Sequence, residues 1–447
     1  MAQQPHVVVL AFPFSTHAAP LLTIINRIAS ASPTTLFSFF STQQSNNSIF
    51  SISQPNIKAY NVPDGVPEGY VFLGKPQEEI ELFMRGAPQS FRKGVEMAVE
   101  ESGRKLSCLV TDSFFWFAKE MALENGVPWL PFHTAGDASL SSHVYTDLLR
   151  ETYGVGGIVG REDETLNFIP GLSNVRIRDL PEGIVFGKLE SFFSVMLHKM
   201  GQVLPQATAV FINSFEELDP DITTDLKSTF KQYLNVGPLI LTTPRPSVPD
   251  SHGCLAWLDK QKPATVTYIS IGSVATPPPN ELVALAEALE TSQVPFIWSL
   301  RDELKVHLPS EFIDKANGLI VPWAPQIDVL AHGAVEVFIT HGGWNSIVES
   351  IAGGVPMIFR PFFGDHRVNG RMVEDVWEIG VIVESGVLTK DGKMSGLDLV
   401  LAQEKGKKMR ENLRDIKQVA QRSVGAKGTS TENFNNLLDL VCTQNYA

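Results

Sequence analysis

Short runs of β-branched and aromatic residues alternate with longer amphipathic stretches along this chain, and the alternation occurs as two series. The first series has buried-strand patterns at 6–12, 34–40, 106–111 and 127–132. The second has them at 265–271, 294–300, 318–323, 335–340 and 355–360. Alternating strands and helices predict parallel, doubly wound sheets, so two series predict an α/β protein with two such domains.

A proline-rich stretch separates the two series and is the best candidate for a linker. The segment GPLILTTPRPSVPDSHG at 237–253 contains four prolines. We expect the Gly-rich segment 151–190 to form a loop excursion of the first domain. The predicted boundaries are a first domain at 1–240, a linker at 241–252, a second domain at 253–429, and an amphipathic C-terminal helix at 430–447 that packs back on the first domain.

Charge and cysteine content restrict the partners and the compartment. The net charge of −13 disfavours nucleic acid and anionic membranes, because both bind basic surfaces. The three cysteines, Cys108, Cys254 and Cys442, are widely spaced and suit a reducing compartment. The N-terminal stretch lacks the basic region of a signal peptide, and no apolar run reaches the length of a membrane span. We expect a cytoplasmic protein with no membrane span.

Common nucleotide and hydrolase motifs do not occur in the sequence. It has no P-loop, no G-x-G-x-x-G after a strand, no G-x-S-x-G and no H-E-x-x-H. The triplet Asp219-Pro220-Asp221 can in principle hold a divalent ion on a diphosphate. The proline favours a turn or a helix cap instead.

Two polar residues follow predicted strands of the first series, where ligands of parallel sheets bind. His17 is either a structural residue at a helix start or a general base. Asp112 is either a helix N-cap or the carboxylate that orients such a base. The residues alone leave both alternatives open.

The motif THGGWNSIVES follows a predicted strand of the second series. Asn345 and Ser346 open a helix whose N-terminus favours phosphate, and His341 can donate to the same oxygens. Glu349 lies one turn further, within reach of a ribose diol. Trp323, at the end of another strand, can stack on a base. The alternative is a Gly-rich turn beside a buried tryptophan.

The segment PFFGDH follows the last predicted strand and places Asp365 beside His366. A carboxylate beside an imidazole can bind a metal, perform acid–base chemistry or hold the hydroxyls of a sugar. The residues by themselves do not indicate which of these functions applies.

Residues 323–366, from WAPQIDVLAH through THGGWNS to PFFGDH, resemble the 44-residue signature of plant UDP-sugar-dependent glycosyltransferases. The resemblance extends over the whole chain and is closest to the flavonoid 3-O-glycosyltransferase branch. The segments that carry it are FPFSTHAAPLL, VPDGVPEGY, VTDSFFWFA, FIPGLSNVRIRDLPEGIVFG, VLPQATAVFINSFEELDP and STENFNNLLDLV. It implies a GT-B fold, with two Rossmann-like domains facing a cleft.

The resemblance also implies an activity. It is the inverting, metal-independent transfer of a hexose from a UDP-sugar to the 3-hydroxyl of a flavonoid, either a flavonol or an anthocyanidin. The UDP-sugar is a co-substrate, no cofactor is implied, and we expect a monomer. His366 stands where glucose-using members carry Gln, so UDP-galactose is the expected donor and UDP-glucose the alternative. A non-catalytic nucleotide-sugar-binding protein is the alternative from another class.

Site residues follow from the same resemblance. His17 is implied as the base and Asp112 as its partner. The implied donor-binding residues are Thr134, Ser273, Trp323, Ala324, Gln326, His341, Trp344, Asn345, Ser346, Glu349, Asp365 and His366. The implied acceptor-binding residues are Phe14, Ser15, Phe115, His143, Phe192 and Phe362, although the apolar ones equally suit a core.

Three positions depart from the family pattern. Gly342 replaces a cysteine, for which we expect little effect. His133 stands where relatives commonly have Trp, and Pro181 where near relatives have a Gln on the acceptor side. The last two departures bear on how the acceptor is held.

Overall fold

The computed structural model describes residues 4–50, 54–73, 77–156, 158–242, 249–272, 274–315, 317–383, 386–401 and 403–442. The chain divides into two compact units. The first takes in the described parts of Met1–Gly160, Glu182–Thr243 and Ser423–Ala447. The second takes in those of Arg161–Pro181 and Pro244–Arg422. Within the described residues, no helix has the length and apolar character needed to cross a membrane.

The first unit is built on a seven-stranded parallel sheet. Its strands are β1 (His6–Leu10), β2 (Leu36–Thr42), β3 (Ile57–Val62), β4 (Cys108–Asp112), β5 (Trp129–His133), β6 (Val210–Ile212) and β7 (Tyr233–Asn235). They lie in the order β3-β2-β1-β4-β5-β6-β7. The chain changes direction of winding between β1 and β4, and ligands of doubly wound sheets bind at this switch point.

Strands β1, β4 and β5 are buried along their whole length. A parallel sheet reaches such burial when helices cover both of its faces. The helices of this unit that precede the second sheet are α1 (Ala18–Ala31), α2 (Gln43–Ile49), α3 (Glu78–Ser102), α4 (Ala118–Asn125), α5 (Asp137–Val144), α6 (Thr146–Tyr153), α7 (Phe192–Val203) and α8 (Pro220–Thr229). Short 3₁₀ turns occur at Leu204–Gln206 and Leu239–Leu241.

The second unit repeats the plan with a six-stranded parallel sheet. Its strands are β8 (Val266–Ser270), β9 (Phe296–Ser299), β10 (Gly318–Val321), β11 (Val335–Thr340), β12 (Met357–Phe359) and β13 (Gly380–Ile382). The order is β10-β9-β8-β11-β12-β13, so the switch point lies between β8 and β11.

Helices of the second unit alternate with these strands. They are α9 (Cys254–Leu258), α10 (Pro279–Ser292), α11 (Asp302–Lys305), α12 (Ser310–Lys315), α13 (Gln326–Ala331), α14 (Trp344–Gly353), α15 (His366–Arg371), α16 (Lys390–Leu401) and α17 (Glu404–Ser423). A π-helical turn at Met372–Val376 continues α15, and a 3₁₀ turn lies at Ile177–Asp179.

The C-terminal helix α18 (Thr429–Cys442) belongs to the core of the first unit. Its buried apolar side chains, Phe434 and Leu437 among them, join the cluster formed by β1 and α1. The guanidinium of Arg27 lies 3.6 Å from the ring centroid of Phe434. The Asn433 amide donates to the carbonyl of Asn235 over 3.1 Å. These contacts fix α18 on the first sheet.

Segment 161–181 lies in the second unit, whereas the sequence had placed it in a first-domain excursion. One contact that holds it there is a buried ion pair, in which Arg371 Nε lies 3.1 Å from Asp179 Oδ2. Arg371 also pairs with Asp375 in the π-helical turn over 2.5 Å. The predicted linker 241–252 lies partly outside the described residues, because 243–248 are not among them.

All nine strands predicted from the sequence are present, with ends displaced by a few residues. The prediction missed β3, β6, β7 and β13. Three of these have only three residues each, and β3, at the edge of its sheet, mixes buried and exposed positions without regular alternation. Helix α4 begins only at Ala118, several residues after the end of β4, and the single residue Tyr145 separates α5 from α6.

Candidate active site

The switch point of the first sheet brings His17 and Asp112 together. His17 directly precedes α1, and Asp112 is the last residue of β4. Nδ1 of His17 lies 2.8 Å from Oδ2 of Asp112. The carboxylate is fully buried, and its Oδ1 accepts the backbone N–H of Phe114 over 2.9 Å. Asp112 is therefore the last residue of a strand and hydrogen-bonds to His17. It is not a helix N-cap, which was the other alternative.

This contact fixes the tautomer of the imidazole. A carboxylate only accepts hydrogen bonds, so in the neutral ring Nδ1 of His17 carries the hydrogen and Nε2 has the lone pair. The side chain of His17 is 15% exposed, which leaves the ring accessible to a small group. A buried carboxylate behind an accessible imidazole is the arrangement expected of a general base and its orienting partner.

Thr134 belongs to the same cluster. It follows β5, the neighbour of β4, and its Oγ1 lies 3.0 Å from His17 Nδ1. The resemblance implied a role toward the donor sugar for this residue. The structure adds a contact that the sequence did not predict, because the two residues are 117 positions apart.

Aromatic rings surround His17. The rings of Phe12 and Phe114 have their centroids 5.0 and 4.6 Å from its imidazole. Phe14 packs edge-on against Phe12 at 5.3 Å and is half-buried. Phe115 is fully buried among these rings, so its side chain is part of the core. The surroundings of the imidazole thus suit a flat apolar ligand.

The remaining acceptor candidates differ in exposure. Ser15 is exposed and adopts a left-handed φ of +55°, an uncommon backbone conformation for a non-glycine residue. Phe192 is half-buried at the start of α7. His143 is buried in α5, and its burial lowers its pKa to about 4. Phe362 lies in the second unit, under the guanidinium of Arg360 at 3.7 Å.

His133 ends β5 and is 1% exposed. Burial, with smaller contributions from His143 and His17, lowers its pKa to about 3, so the ring is neutral. Its Nδ1 lies 3.1 Å from Ser113 Oγ. At this position the chain therefore has a buried neutral imidazole.

The switch point of the second sheet carries the THGGWNS motif. Asn345 and Ser346 lie in the first turn of α14, and the N-terminus of a helix favours an anion. The ring of His341 is enclosed by glycine backbone. A Cβ on Gly343 would lie 2.5 Å from His341 Nε2, and one on Gly272 would lie 2.7 Å from His341 Cε1. Only glycine leaves room for this ring.

Burial, followed by the neighbouring His366, lowers the pKa of His341 to about 3. The imidazole is therefore a neutral hydrogen-bonding group rather than a cation. Gly342 has a φ of +89°, and a Cβ there would lie 2.5 Å from the Phe359 ring. A cysteine would be strained in this backbone, so the glycine matters more than the sequence suggested. Ser273, another implied phosphate ligand, lies outside the described residues.

A network that suits a nucleoside lies beside α14. The amide of Gln326 accepts from the Tyr268 hydroxyl over 3.2 Å and donates to Glu349 Oε2 over 2.7 Å and Ser346 Oγ over 3.1 Å. Burial raises the pKa of Glu349 to about 7. Trp323 is 46% exposed and presents a flat surface, whereas Ala324 is buried.

The PFFGDH loop fixes the tautomer of its histidine. His366 Nδ1 accepts the backbone N–H groups of Phe362 and Phe363 over 3.2 and 3.4 Å. Since those groups can only donate, the hydrogen of the neutral ring is on Nε2. Burial and then the charge of Arg360 lower the pKa of His366 to about 4. At neutral pH this ring therefore presents an N–H donor.

Other side chains of the predicted sugar site lie around this loop. Asp365 Oδ2 accepts the amide of Asn369 over 2.8 Å. Trp344 is buried, with its ring centroid 6.3 Å from that of Trp377. Under the loop, Arg360 Nε lies 2.9 Å from Glu281 Oε2, and Glu281 also accepts the backbone N–H of Leu388.

A family model described as UDP-glucoronosyl and UDP-glucosyl transferase matches residues 9–419. The chain belongs to this family. This UDP-glycosyltransferase is 66% identical to an anthocyanidin 3-O-glucosyltransferase of Vitis vinifera, over 98% of the chain and 97% of the relative. It is 54% identical to an anthocyanidin 3-O-galactosyltransferase of Actinidia chinensis var. chinensis, over 98% of each.

Its fold is shared with a crystal structure of UDP-glucose: anthocyanidin 3-O-glucosyltransferase in complex with UDP. The TM-score is 0.93 at 41% identity, and the match covers 99% of both chains. The predicted GT-B fold, two Rossmann-like parallel-sheet domains, is confirmed. The family membership predicted from the signature of residues 323–366 is also confirmed.

The acidic triplet Asp219-Pro220-Asp221 lies outside the two motifs that carry the predicted donor-binding residues. Asp219 directly precedes α8 in the first unit, and Pro220 and Asp221 lie in its first turn. The triplet is thus the start of a helix, as the turn-or-cap interpretation predicted. In the part of the chain that the structure describes, no group of three or more His, Cys, Asp or Glu side chains is placed to hold a metal ion.

Sequence reasoning missed two supports of the site. Arg360 and Glu281 are 79 positions apart, and no motif relates them. Asn369 lies four residues after Asp365 on α15, one helical turn away, so helical spacing alone could have indicated it.

Proposed function

We propose that this UDP-glycosyltransferase transfers a hexose from a UDP-sugar to the 3-hydroxyl of a flavonoid, with inversion at the anomeric carbon. The observation that carries the proposal is the 2.8 Å contact between His17 and Asp112, which leaves a basic nitrogen among aromatic rings. The names of the Vitis vinifera and Actinidia chinensis relatives support the flavonoid 3-hydroxyl as the acceptor group.

His17 acts as the general base. A phenol-like hydroxyl has a pKa near 10 and an imidazole near 6.5, so complete proton transfer before attack would cost roughly 5 kcal/mol. Proton transfer therefore accompanies the attack of the hydroxyl oxygen on the anomeric carbon. Asp112 stabilises the imidazolium as it forms. The C–O bond to UDP breaks as the new glycosidic bond forms, which inverts the configuration.

The second unit binds the donor. Trp323 stacks on uracil, and Gln326 and Glu349 hold the ribose. The N-terminus of α14 and neutral His341 stabilise the charge of the departing diphosphate. These groups need no metal or other cofactor, so activity should survive EDTA. Loss of activity in EDTA that Mg²⁺ or Mn²⁺ restores would overturn this part of the proposal.

The preferred donor is UDP-galactose. Glucose and galactose differ only at C4, and a Gln at position 366 would offer both a donor and an acceptor. His366 offers only its Nε2 hydrogen, since its Nδ1 is occupied by the loop backbone. The second candidate is UDP-glucose, which the 66% identity to the Vitis vinifera glucosyltransferase favours.

The test measures kcat/KM for UDP-galactose and UDP-glucose with a flavonol, on the natural enzyme and on His366→Gln. We expect the natural enzyme to prefer UDP-galactose and the variant to shift toward UDP-glucose by about 5- to 150-fold, the effect of one hydrogen bond. A natural enzyme that already prefers UDP-glucose would refute the donor assignment and leave the transferase activity standing.

Absence of UDP release with either donor would instead favour a non-catalytic nucleotide-sugar-binding protein.

We further propose that the enzyme acts as a cytoplasmic monomer. Its net charge of −13 and three widely spaced cysteines support the compartment. Light scattering would test the oligomeric state.

A further inference from the structure

Asn369 lies inside α15, one turn after Asp365, and is 1% exposed. Its Nδ2 lies 2.8 Å from Asp365 Oδ2 and 3.0 Å from the carbonyl oxygen of Gly342. An amide nitrogen carries two hydrogens, and here both have acceptors. The backbone N–H of Asn369 also donates to the Asp365 carbonyl over 2.9 Å.

These contacts join two loops of the second unit. Gly342 belongs to the phosphate loop, residues 341–343, between β11 and α14. Asp365 belongs to the sugar loop, residues 360–365, between β12 and α15. The strands are neighbours in the sheet, but their pairing ends at Thr340 and Phe359. Beyond that point, the Asn369 side chain hydrogen-bonds to both loops.

The chemistry of the position suits asparagine. Both partners are acceptors, so the residue between them must donate twice. Aspartate has nearly the same shape, but it cannot donate when ionised and would set a second negative charge beside Asp365. Alanine would leave the carboxylate and the carbonyl without this donor.

We propose that Asn369 is a positioning residue for the donor sugar, holding the Asp365 carboxylate in place with the Gly342 carbonyl as the second anchor of its amide. The proposal rests on the proposed function, in which Asp365 binds the hydroxyls of the transferred hexose. Asn369 therefore affects the binding of the hexose rather than the binding of UDP. UDP makes no contact with Asp365 in this account, whereas UDP-hexose does.

The experiment compares the binding of UDP and of UDP-hexose to the full-length enzyme by calorimetry, with kcat and KM measured alongside. The variants are Asn369→Asp and Asn369→Ala. The matched control is Asn317→Asp, because Asn317 also donates its amide to a backbone carbonyl, that of Gln293 over 2.8 Å, but on the exposed surface.

We expect Asn369→Asp to weaken UDP-hexose binding by roughly 10- to 100-fold while UDP binding changes less than about threefold. Asn369→Ala should show the same split with a smaller loss, and it provides the test if the aspartate variant does not fold. The control should bind both ligands as the natural enzyme does.

Equal weakening of UDP and UDP-hexose binding would mean that Asn369 only supports the fold, and unchanged binding of UDP-hexose would mean that it does not position Asp365. Either result overturns the inference alone. A natural enzyme that binds UDP but neither UDP-hexose would overturn the proposed function together with it.

Discussion

The imidazole of His17 donates its Nδ1 hydrogen to the buried carboxylate of Asp112 over 2.8 Å, across the switch point of the first sheet. The second carboxylate oxygen is held by the backbone N–H of Phe114. Because both carboxylate oxygens have hydrogen-bond partners, the neutral ring keeps one tautomer, in which Nε2 has the lone pair.

Replacing His17 by alanine removes the proposed base. We expect kcat to fall by about 10²- to 10⁴-fold, the usual contribution of a general base, while the affinity for UDP-sugar stays unchanged. Steady-state kinetics with calorimetric donor binding checks both. A matched control is His332→Ala, since His332 also lies near an aspartate, Asp259 at 3.3 Å, and should leave kcat unaltered. Parallel losses of kcat and donor affinity would show His17 to be structural.

Asp112→Asn should slow the enzyme through the tautomer. The carbonyl of the new amide can keep the Phe114 N–H, which turns the NH₂ group toward His17 Nδ1. The ring hydrogen then moves to Nε2, where the base is needed. A decrease in kcat of about 10²- to 10⁴-fold is expected with little change in thermal stability. Near-normal kcat in a folded variant would contradict this account of Asp112.

Donor binding should depend on pH through Glu349. Burial raises the pKa of this carboxyl to about 7, and only its ionised form accepts from both ribose hydroxyls without donating. UDP-hexose affinity should therefore be highest above pH 7 and fall as the pH decreases below it, by at most about tenfold per pH unit. Titration calorimetry from pH 5.5 to about 8.5 measures this. In Glu349→Gln, the pH dependence should disappear; if it persists, another group causes it.

The buried ion pair at the start of the sugar loop should contribute to stability. Glu281 and Arg360 have side chains only 2% and 12% exposed. Glu281→Ala would leave the guanidinium without its carboxylate, and we expect a loss of about 3–5 kcal/mol in the free energy of unfolding. Urea denaturation gives the value. The control is Glu81→Ala, which breaks an exposed helical pair with Arg85 and should cost less than about 1 kcal/mol. Similar losses in the two variants would show that burial adds nothing to the Arg360 pair.

The architecture was predictable because its signal is local. Buried parallel strands such as β1 and β11 are mostly apolar runs, and their alternation with helices is visible along the sequence. The strands that escaped prediction, such as β6 and β13, have three residues and too little pattern to recognise. No local pattern indicates that segment 161–181 contacts the second unit, because Arg371 lies 192 positions from Asp179.

The site was predictable in its residues but less so in their contacts. Motif and position indicated His17 and Asp112, since both follow strands at one switch point. The contact of Thr134 with His17 and the double donation by Asn369 arise only when distant segments fold together. Burial likewise determines that His341 is neutral, and no local pattern indicates it.

The most direct measurement of the central claim is the structure of the product. The enzyme is supplied with UDP-galactose or UDP-glucose and a flavonol, and in parallel with the matching flavone that lacks only the 3-hydroxyl. NMR spectroscopy then gives the attachment position and the anomeric configuration. Because UDP-hexoses are α-linked, inverting transfer by His17 predicts a β-hexoside at the 3-oxygen, and no product from the flavone. An α-linked product, or a hexose attached equally well to both acceptors, would contradict the account.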